Sequence, residues 1–298
     1  MILITGANGH LGRRLIAALA GTPVRAVVRS EKAAALVGAR HVEVRIIDYL
    51  DRAAMTAAAE GCQQIVHLVG IIRESATSTF QAAHEDTTAV LREAAAGAGA
   101  QQVVYLSILG AGADASNACL TSKGRAEALL RSGPVPSLVL RVPMVLGEGD
   151  HASRALGARA RRRVDVQFRA GSLEQPIYAG DVIGAVVRVL DRVGVEHRLL
   201  ELAGPESLTR AALVCRAARV LDLAPPRVIS LPVGLGMALA GVLERCTRNP
   251  PITRAMLGVL DHDDRIDPGP ALDALGITLT PLDEALRRCL AGPTSGSV

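Results

Sequence analysis

Aromatic side chains are nearly missing from this chain of 298 residues, which has no tryptophan, two phenylalanines and three tyrosines. So little surface for stacking bases argues against single-stranded nucleic acid as a ligand, despite a net charge of +4. The one basic cluster, Arg159-Ala160-Arg161-Arg162-Arg163, fits a solvated helix end. Lysine is almost absent too: Lys32 and Lys123 stand against 31 arginines. No apolar run approaches the ~20 residues that span a bilayer. The longest candidate, Val233 to Leu243, is short and interrupted by glycine. The five cysteines, at 62, 119, 215, 246 and 289, show no metal-ligand or redox-motif spacing, so reduced thiols are expected. His151, Glu148 and Asp150 are adjacent loop residues without a fourth ligand, and no metal site is expected of them. The first residues read as a core strand rather than a signal peptide. The expectation is a soluble, cytoplasmic protein with no transmembrane segment and no nucleic-acid partner.

What the chain does have is an alternation of short apolar runs and alanine-rich helical stretches. Strands are expected at Met1–Ile4, Val24–Val28, Val42–Ile46, Gln64–Leu68, Val103–Ser107 and Ser137–Arg141. Helices are expected near 11–20, 31–37, 51–59, 79–97 and 121–132. This order implies an α/β fold of Rossmann type, a doubly wound parallel sheet with helices on both faces. Beyond residue 142 the pattern loosens, and a smaller, mainly helical C-terminal lobe is expected. The expected boundaries are a dinucleotide-binding domain over 1–150, completed by 179–203. The lobe takes 151–178 and 204–292, and 293–298 form a frayed tail. Residues 152–163 and 181–191 read as helices, and 164–169, 199–202 and 228–231 as strands.

The most informative stretch is Thr5-Gly6-Ala7-Asn8-Gly9-His10-Leu11-Gly12. It joins the first strand to the first helix, the context in which a glycine pattern marks a dinucleotide site. Gly6 permits the sharp turn, Gly9 lets the backbone approach a pyrophosphate, and Gly12 lets the helix pack on the sheet. The first helical turn then presents free N–H groups to the phosphates.

The end of the second strand bears on the choice of nucleotide. An acid there would bind a ribose 2′-hydroxyl. The chain has Arg29-Ser30 instead, a cation and a hydroxyl that suit a 2′-phosphate, with Arg13 near enough to join them. NADP(H) is therefore expected ahead of NAD(H). Asp48 and Tyr49, beyond the third strand, are placed to meet the adenine.

These segments, in this order, resemble the short-chain dehydrogenase/reductase superfamily in its extended and atypical branch. The resemblance is carried by Thr5–Gly12, Val66-His67-Leu68-Val69-Gly70, Val104-Tyr105-Leu106-Ser107 and Leu140-Arg141-Val142-Pro143-Met144-Val145-Leu146-Gly147. Pro176-Ile177-Tyr178-Ala179-Gly180-Asp181-Val182 and Leu200-Glu201-Leu202-Ala203-Gly204-Pro205-Glu206 extend it. His67 to Glu74 and Pro250-Pro251-Ile252-Thr253 look most like the group related to the nucleotide-binding accessory subunit of respiratory complex I. The resemblance implies that Leu68, Val69 and Gly70 line the nucleotide, and that Pro143 and Val145 meet the nicotinamide. Active members pair a tyrosine acid with a lysine that holds the nicotinamide ribose, aided by a serine. Here Ser107 matches the serine and Lys123 the lysine, but the tyrosine position is Cys119. That Lys123 is one of only two lysines favours a specific role over a surface cation.

A thiol can in principle relay a proton beside a lysine, but Cys119 is shorter than tyrosine by most of a ring. A small packing residue beside a nucleotide is the preferred reading. His84, Glu85 and Asp86 are expected as caps or a solvated helix face. The preferred function is an NADP(H)-binding protein without the usual tyrosine acid, its nucleotide structural, sensing or assembly-related. One alternative is an active NADPH-dependent reductase, epimerase or dehydratase with another proton donor. A second is a partner-binding accessory subunit of a membrane redox complex, docking through Leu231–Leu243. A buried core helix is the preferred reading of that run.

Overall fold

The computed structural model describes residues 1–38, 41–75, 77–192, 196–247, 253–259 and 263–291. Pro250, Pro251, Ile252 and the tail lie outside the described residues. The chain divides into two compact units, Met1–Arg141 with Ile183–Glu201, and Val142–Val182 with Leu202–Val298.

The elements run β1 (Ile2–Thr5), α1 (His10–Ala18), β2 (Val24–Val28), α2 (Glu31–Ala34), β3 (Val42–Ile46), α3 (Arg52–Ala59) and β4 (Gln64–His67). A π-helical turn over Gln81–Asp86 leads into α4 (Thr87–Gly97), followed by β5 (Gln102–Ile108), α5 (Ala118–Arg131) and β6 (Ser137–Val142). Then come β7 (Val145–Leu146), α6 (His151–Ala160), β8 (Val164–Phe168), β9 (Leu173–Glu174), β10 (Ile177–Tyr178), α7 (Ala179–Leu190) and β11 (Arg198–Glu201). The chain ends with β12 (Leu208–Thr209), α8 (Arg210–Val220), β13 (Arg227–Leu231), α9 (Val233–Cys246), α10 (Arg254–Val259), α11 (Gly269–Leu275) and α12 (Leu282–Leu290).

In the first unit seven strands form one sheet in the order β11-β6-β5-β4-β1-β2-β3. β1 pairs in parallel with β2 on one side and with β4 on the other. The strand order reverses beside β1, which places a ligand crevice at its carboxyl end. The strands are apolar runs because parallel strands are covered on both faces: Leu3, Ile4, Val27, Ile65, Val66 and Leu140 are buried. One face is closed by Met55, Leu91, Ala94, Ala126 and Leu130 from α3, α4 and α5. Asp51 caps α3 by accepting from Ala54 N, and Asn117 caps α5 by accepting from Cys119 N and Leu120 N.

Two glycines fix the turn after β1. Gly6 has φ +71, and a Cβ there would lie 2.9 Å from the Leu68 carbonyl carbon. At Gly12 a Cβ would lie 2.5 Å from the Ala7 oxygen, so only glycine lets α1 sit this close to the turn.

The second unit has its own core, formed by Leu156 of α6, Leu213 and Val214 of α8, and Leu282 and Leu286 of α12. Its strands pair in short ribbons: β10 with β7, β12 with β9, and β13 with β8. Asp150 caps α6 by accepting from Ser153 N, and Glu148 accepts from the Tyr178 hydroxyl at 2.5 Å. The expectation for α9 is corrected here. Its inward residues are small, with Gly236, Ala240 and Gly241 buried. Leu235, Leu239 and Val242 are 56%, 48% and 55% exposed. Gly236 lets the helix rest on the ring of Phe168, since a Cβ there would come 3.0 Å from that ring. Close approach through small residues thus turns the large aliphatic ones outward. Among the described residues no helix is long and apolar enough to cross a membrane.

Candidate functional site

At the carboxyl end of β1, two adjoining cavities of about 290 and 330 Å³ share Arg29, Tyr49, Val69 and Gly70. The smaller is also lined by Gly6, Asn8, Gly9, Ser30, Ala33 and Leu68. The larger adds Asp48, Leu50, Ile71, Thr77, Ser78, Ala82, Ala83 and Thr87. Most residues expected around a dinucleotide are thus brought together. His10, Leu11, Gly12 and Arg13 stand behind them in α1. The His10 ring accepts from Arg14 Nε at 2.9 Å, and Arg13 is exposed. Pro143 and Val145 follow β6 in the second unit, where Val145 pairs with Ile177.

Tyr49 is more than a wall. Its hydroxyl accepts from Gly6 N at 3.0 Å and donates to Val27 O at 3.1 Å, so one buried side chain ties the glycine turn to β2. Burial raises its phenol pKa, which keeps the hydroxyl a donor. The Arg29 guanidinium lies 5.7 Å from the Tyr49 ring centre. Ser30 caps α2 by accepting from Ala33 N at 3.2 Å, and Asp48 accepts from Leu50 N at 3.0 Å.

Beside the cavities lies a group of buried polar side chains. His67 is held by Thr5 Oγ1 at 2.6 Å and Thr88 Oγ1 at 3.2 Å, and it stacks on Tyr105. Burial lowers its pKa to about 3, so the ring is neutral. Lys123, 8% exposed, donates to Leu106 O at 3.2 Å and to Val69 O at 3.5 Å. Its Nζ is 4.5 Å from the Tyr105 ring centre, and burial lowers its pKa to about 8.

Cys119 and Lys123 lie one turn apart on α5, on one face. The Cys119 thiol is buried and donates to Ile71 O at 3.6 Å, and burial pushes its pKa up to about 11. It is therefore a protonated thiol at neutral pH. The Ser107 hydroxyl donates to Glu127 Oε1 at 2.5 Å. Glu127 is buried and gripped by Arg141 through Nη2 at 2.6 Å, and Arg141 also reaches Glu201 at 3.2 Å. The Ser107 hydroxyl and the Cys119 thiol thus both donate to groups within the protein.

His84 corrects an expectation. It was expected as a cap or in a solvated face, but the π-helical turn carries it fully inside, where its ring stacks on Phe80. Burial, then the Lys123 charge, lowers its pKa to about 3. Glu127, Arg141 and Thr88 were not anticipated. For Glu127 a signal existed, since it follows Lys123 by four residues on the same helix.

This geometry defines a Rossmann-type nucleotide-binding protein. The chain belongs to the NAD(P)H-binding family, whose model matches residues 6–167. It is 30% identical over 164 residues to ceramide reductase of Caulobacter vibrioides, a match that covers 54% of this chain and 51% of that enzyme. The chain therefore spans about half the length of that relative. It is 28% identical to quinone oxidoreductase 2 of Escherichia coli, over 72% of each chain. It is 23% identical to the mitochondrial NADH dehydrogenase [ubiquinone] 1 alpha subcomplex subunit 9 of Dictyostelium discoideum, over 96% of this chain and 82% of that one. Among solved structures, the triphenylmethane reductase of Citrobacter sp., complexed with NADP(H), shares the fold with a TM-score of 0.76. The identity is 20%, over 97% of this chain and 100% of that one.

Proposed function

We propose that this chain binds NADP(H), and that the nucleotide serves a structural, sensing or assembly purpose without tyrosine-dependent turnover. The observation that supports this reading is the buried Cys119 thiol, which donates to Ile71 O and stands where the resemblance expects a tyrosine. The groove suits a dinucleotide, because the turn at Gly6, Asn8 and Gly9 lines an open cavity together with Arg29 and Ser30. Gly6, Asn8, Gly9 and the first turn of α1, with His10, Leu11, Gly12 and Arg13, would hold the pyrophosphate. Arg29 and Ser30 would take the 2′-phosphate, since Arg29 lines both cavities and no acid ends β2. Asp48 and Tyr49 would flank the adenine, with Leu68, Val69 and Gly70 opposite. Lys123 would serve the ribose, and Pro143 and Val145 the nicotinamide. In this reading the chain's residues would bind and orient the nucleotide without passing its hydride to a substrate.

The test is steady-state NADPH oxidation with quinone and carbonyl acceptors, on protein shown to bind NADPH. Absence of turnover supports the reading. Turnover that persists in Cys119→Ala would favour a reductase with another proton donor, in line with the names of the quinone and ceramide relatives.

A second reading, partner binding, is favoured by α9. Leu235, Leu239 and Val242 form an outward apolar stripe, and Val164, Val166 and Ile229 are exposed on the β8–β13 ribbon. Exposed apolar residues of this kind suit an interaction surface, and the partner in this reading is a subunit of a membrane redox complex, the Dictyostelium relative being named as a subunit of NADH dehydrogenase. Leu235→Ser with Leu239→Ser should leave the melting temperature unchanged if the stripe is a docking face. A clear drop would return α9 to the core.

A further inference from the structure

Beyond Leu68, whose N–H donates to Thr5 O, the chain leaves the β1–β4 ladder. The next backbone groups need other partners. Side chains supply them. Lys123 Nζ donates to Val69 O at 3.5 Å, and the Cys119 thiol donates to Ile71 O at 3.6 Å. His84 Nε2 lies 3.1 Å from both the nitrogen and the oxygen of Ile71. The Ile71 oxygen can accept twice, so the neutral His84 ring either accepts from Ile71 N–H or donates to Ile71 O, and in both tautomers it holds Ile71. Gly70 sits between these contacts. A Cβ there would come 3.0 Å from Lys123 Nζ and 3.6 Å from His84 Nε2, so both side chains lie close against this backbone.

The other side of this segment faces the groove. Val69 and Gly70 line both cavities, and Ile71 lines the larger. We propose that Cys119 and His84 are positioning residues that latch Val69–Ile71 in place as a wall of the nucleotide groove. The position that carries a proton-donating tyrosine in active reductases then serves binding geometry instead. This rests on the nucleotide reading above. Two observations support it. Burial keeps the thiol protonated, hence a donor, across neutral pH. Among the described residues the buried His84 Nδ1 has no partner, a cost accepted while Nε2 stays on Ile71.

The test pairs hydrogen exchange on the protein without nucleotide with NADPH titration. Cys119→Ala and His84→Phe should accelerate exchange over residues 68–75 by about tenfold, with β5 and β6 at wild-type rates, and raise the NADPH Kd by about three- to tenfold. Cys119→Ser, whose hydroxyl can donate to Ile71 O, and His84→Gln should restore both. If His84→Phe does not fold, the two Cys119 variants decide. Unchanged exchange, serine and alanine behaving alike, or faster exchange with an unchanged Kd each overturn the proposal. If wild-type protein binds no nucleotide, the groove role falls with the functional reading, while the exchange data still report whether the latch exists.

Discussion

The Lys123 ammonium stands 4.5 Å from the centre of the Tyr105 ring, donating to the Leu106 carbonyl. A cation in this buried place carries a desolvation cost, which lowers its pKa from 10.5 to about 8. Between those values the unfolded chain holds a proton that the folded protein releases. Lys123 should therefore add stability as pH increases from 8 to 10.5, by about 3 kcal/mol at most, a gain that the Cys119 thiol, raised from 9 to about 11, opposes above pH 9. Urea midpoints compared with Lys123→Met check this. The wild-type curve should rise more steeply, and parallel curves would place Lys123 in contact with water.

The two buried histidines work at the other end of the scale. His67 and His84 titrate near 3 when folded and near 6.5 when unfolded. Below pH 6.5 the unfolded chain binds protons that the folded rings refuse, so stability should fall as pH drops towards 3. His67→Gln keeps hydrogen-bonding capacity for Thr5 and Thr88 but cannot titrate. Its stability should depend less on pH between 6.5 and 4, as measured by chemical unfolding.

Tyr49 joins Gly6 N to Val27 O through one hydroxyl. Tyr49→Phe keeps the ring and removes the hydroxyl's bond to each group in a buried place, at a cost of about 1–3 kcal/mol. Thermal unfolding and NADPH titration should both register the loss. An unchanged melting temperature would mean that water takes over the hydroxyl's role.

Glu127 is buried and receives Ser107 and Arg141 together. Glu127→Ala leaves the Arg141 guanidinium facing a gap and should destabilise by about 3–5 kcal/mol. Ser107→Ala removes one donor of the group and should cost about 1 kcal/mol. Equal effects of the two would show that Arg141 finds another partner.

Cys119 is too enclosed to accept a tyrosine simply. Cys119→Tyr adds a ring at a position that is 1% exposed, against Ile71 O. Overpacking of this kind costs about 1–3 kcal/mol, and the variant should melt lower without gaining carbonyl reduction. Gain of turnover at wild-type stability would contradict that.

The sheet was legible because its parallel strands are continuous apolar runs, and the expected segments from Val24–Val28 to Ser137–Arg141 overlap the observed ones. The glycine turn was legible because it sits between a strand and a helix. The two-residue strands β7, β9, β10 and β12 were not, since two residues carry no periodicity. His84 was misplaced because a π-helical turn shifts the face on which it falls. The outward face of α9 was missed because a run of Leu, Val and Ala shows no polar side, and only packing through Gly236 and Ala240 decides which residues face in. The grip of Glu127 on Ser107 depends on long-range contacts among α5, β5 and β6, which local pattern does not encode.

The most direct measurement is calorimetric titration of the protein with NADPH, NADP⁺, NADH and NAD⁺, repeated on Arg29→Asp. NADPH should bind more tightly than NADH, and Arg29→Asp should abolish the difference. Failure of all four to bind, or equal affinity for NADPH and NADH in both proteins, would contradict a nucleotide groove that reads the 2′-phosphate.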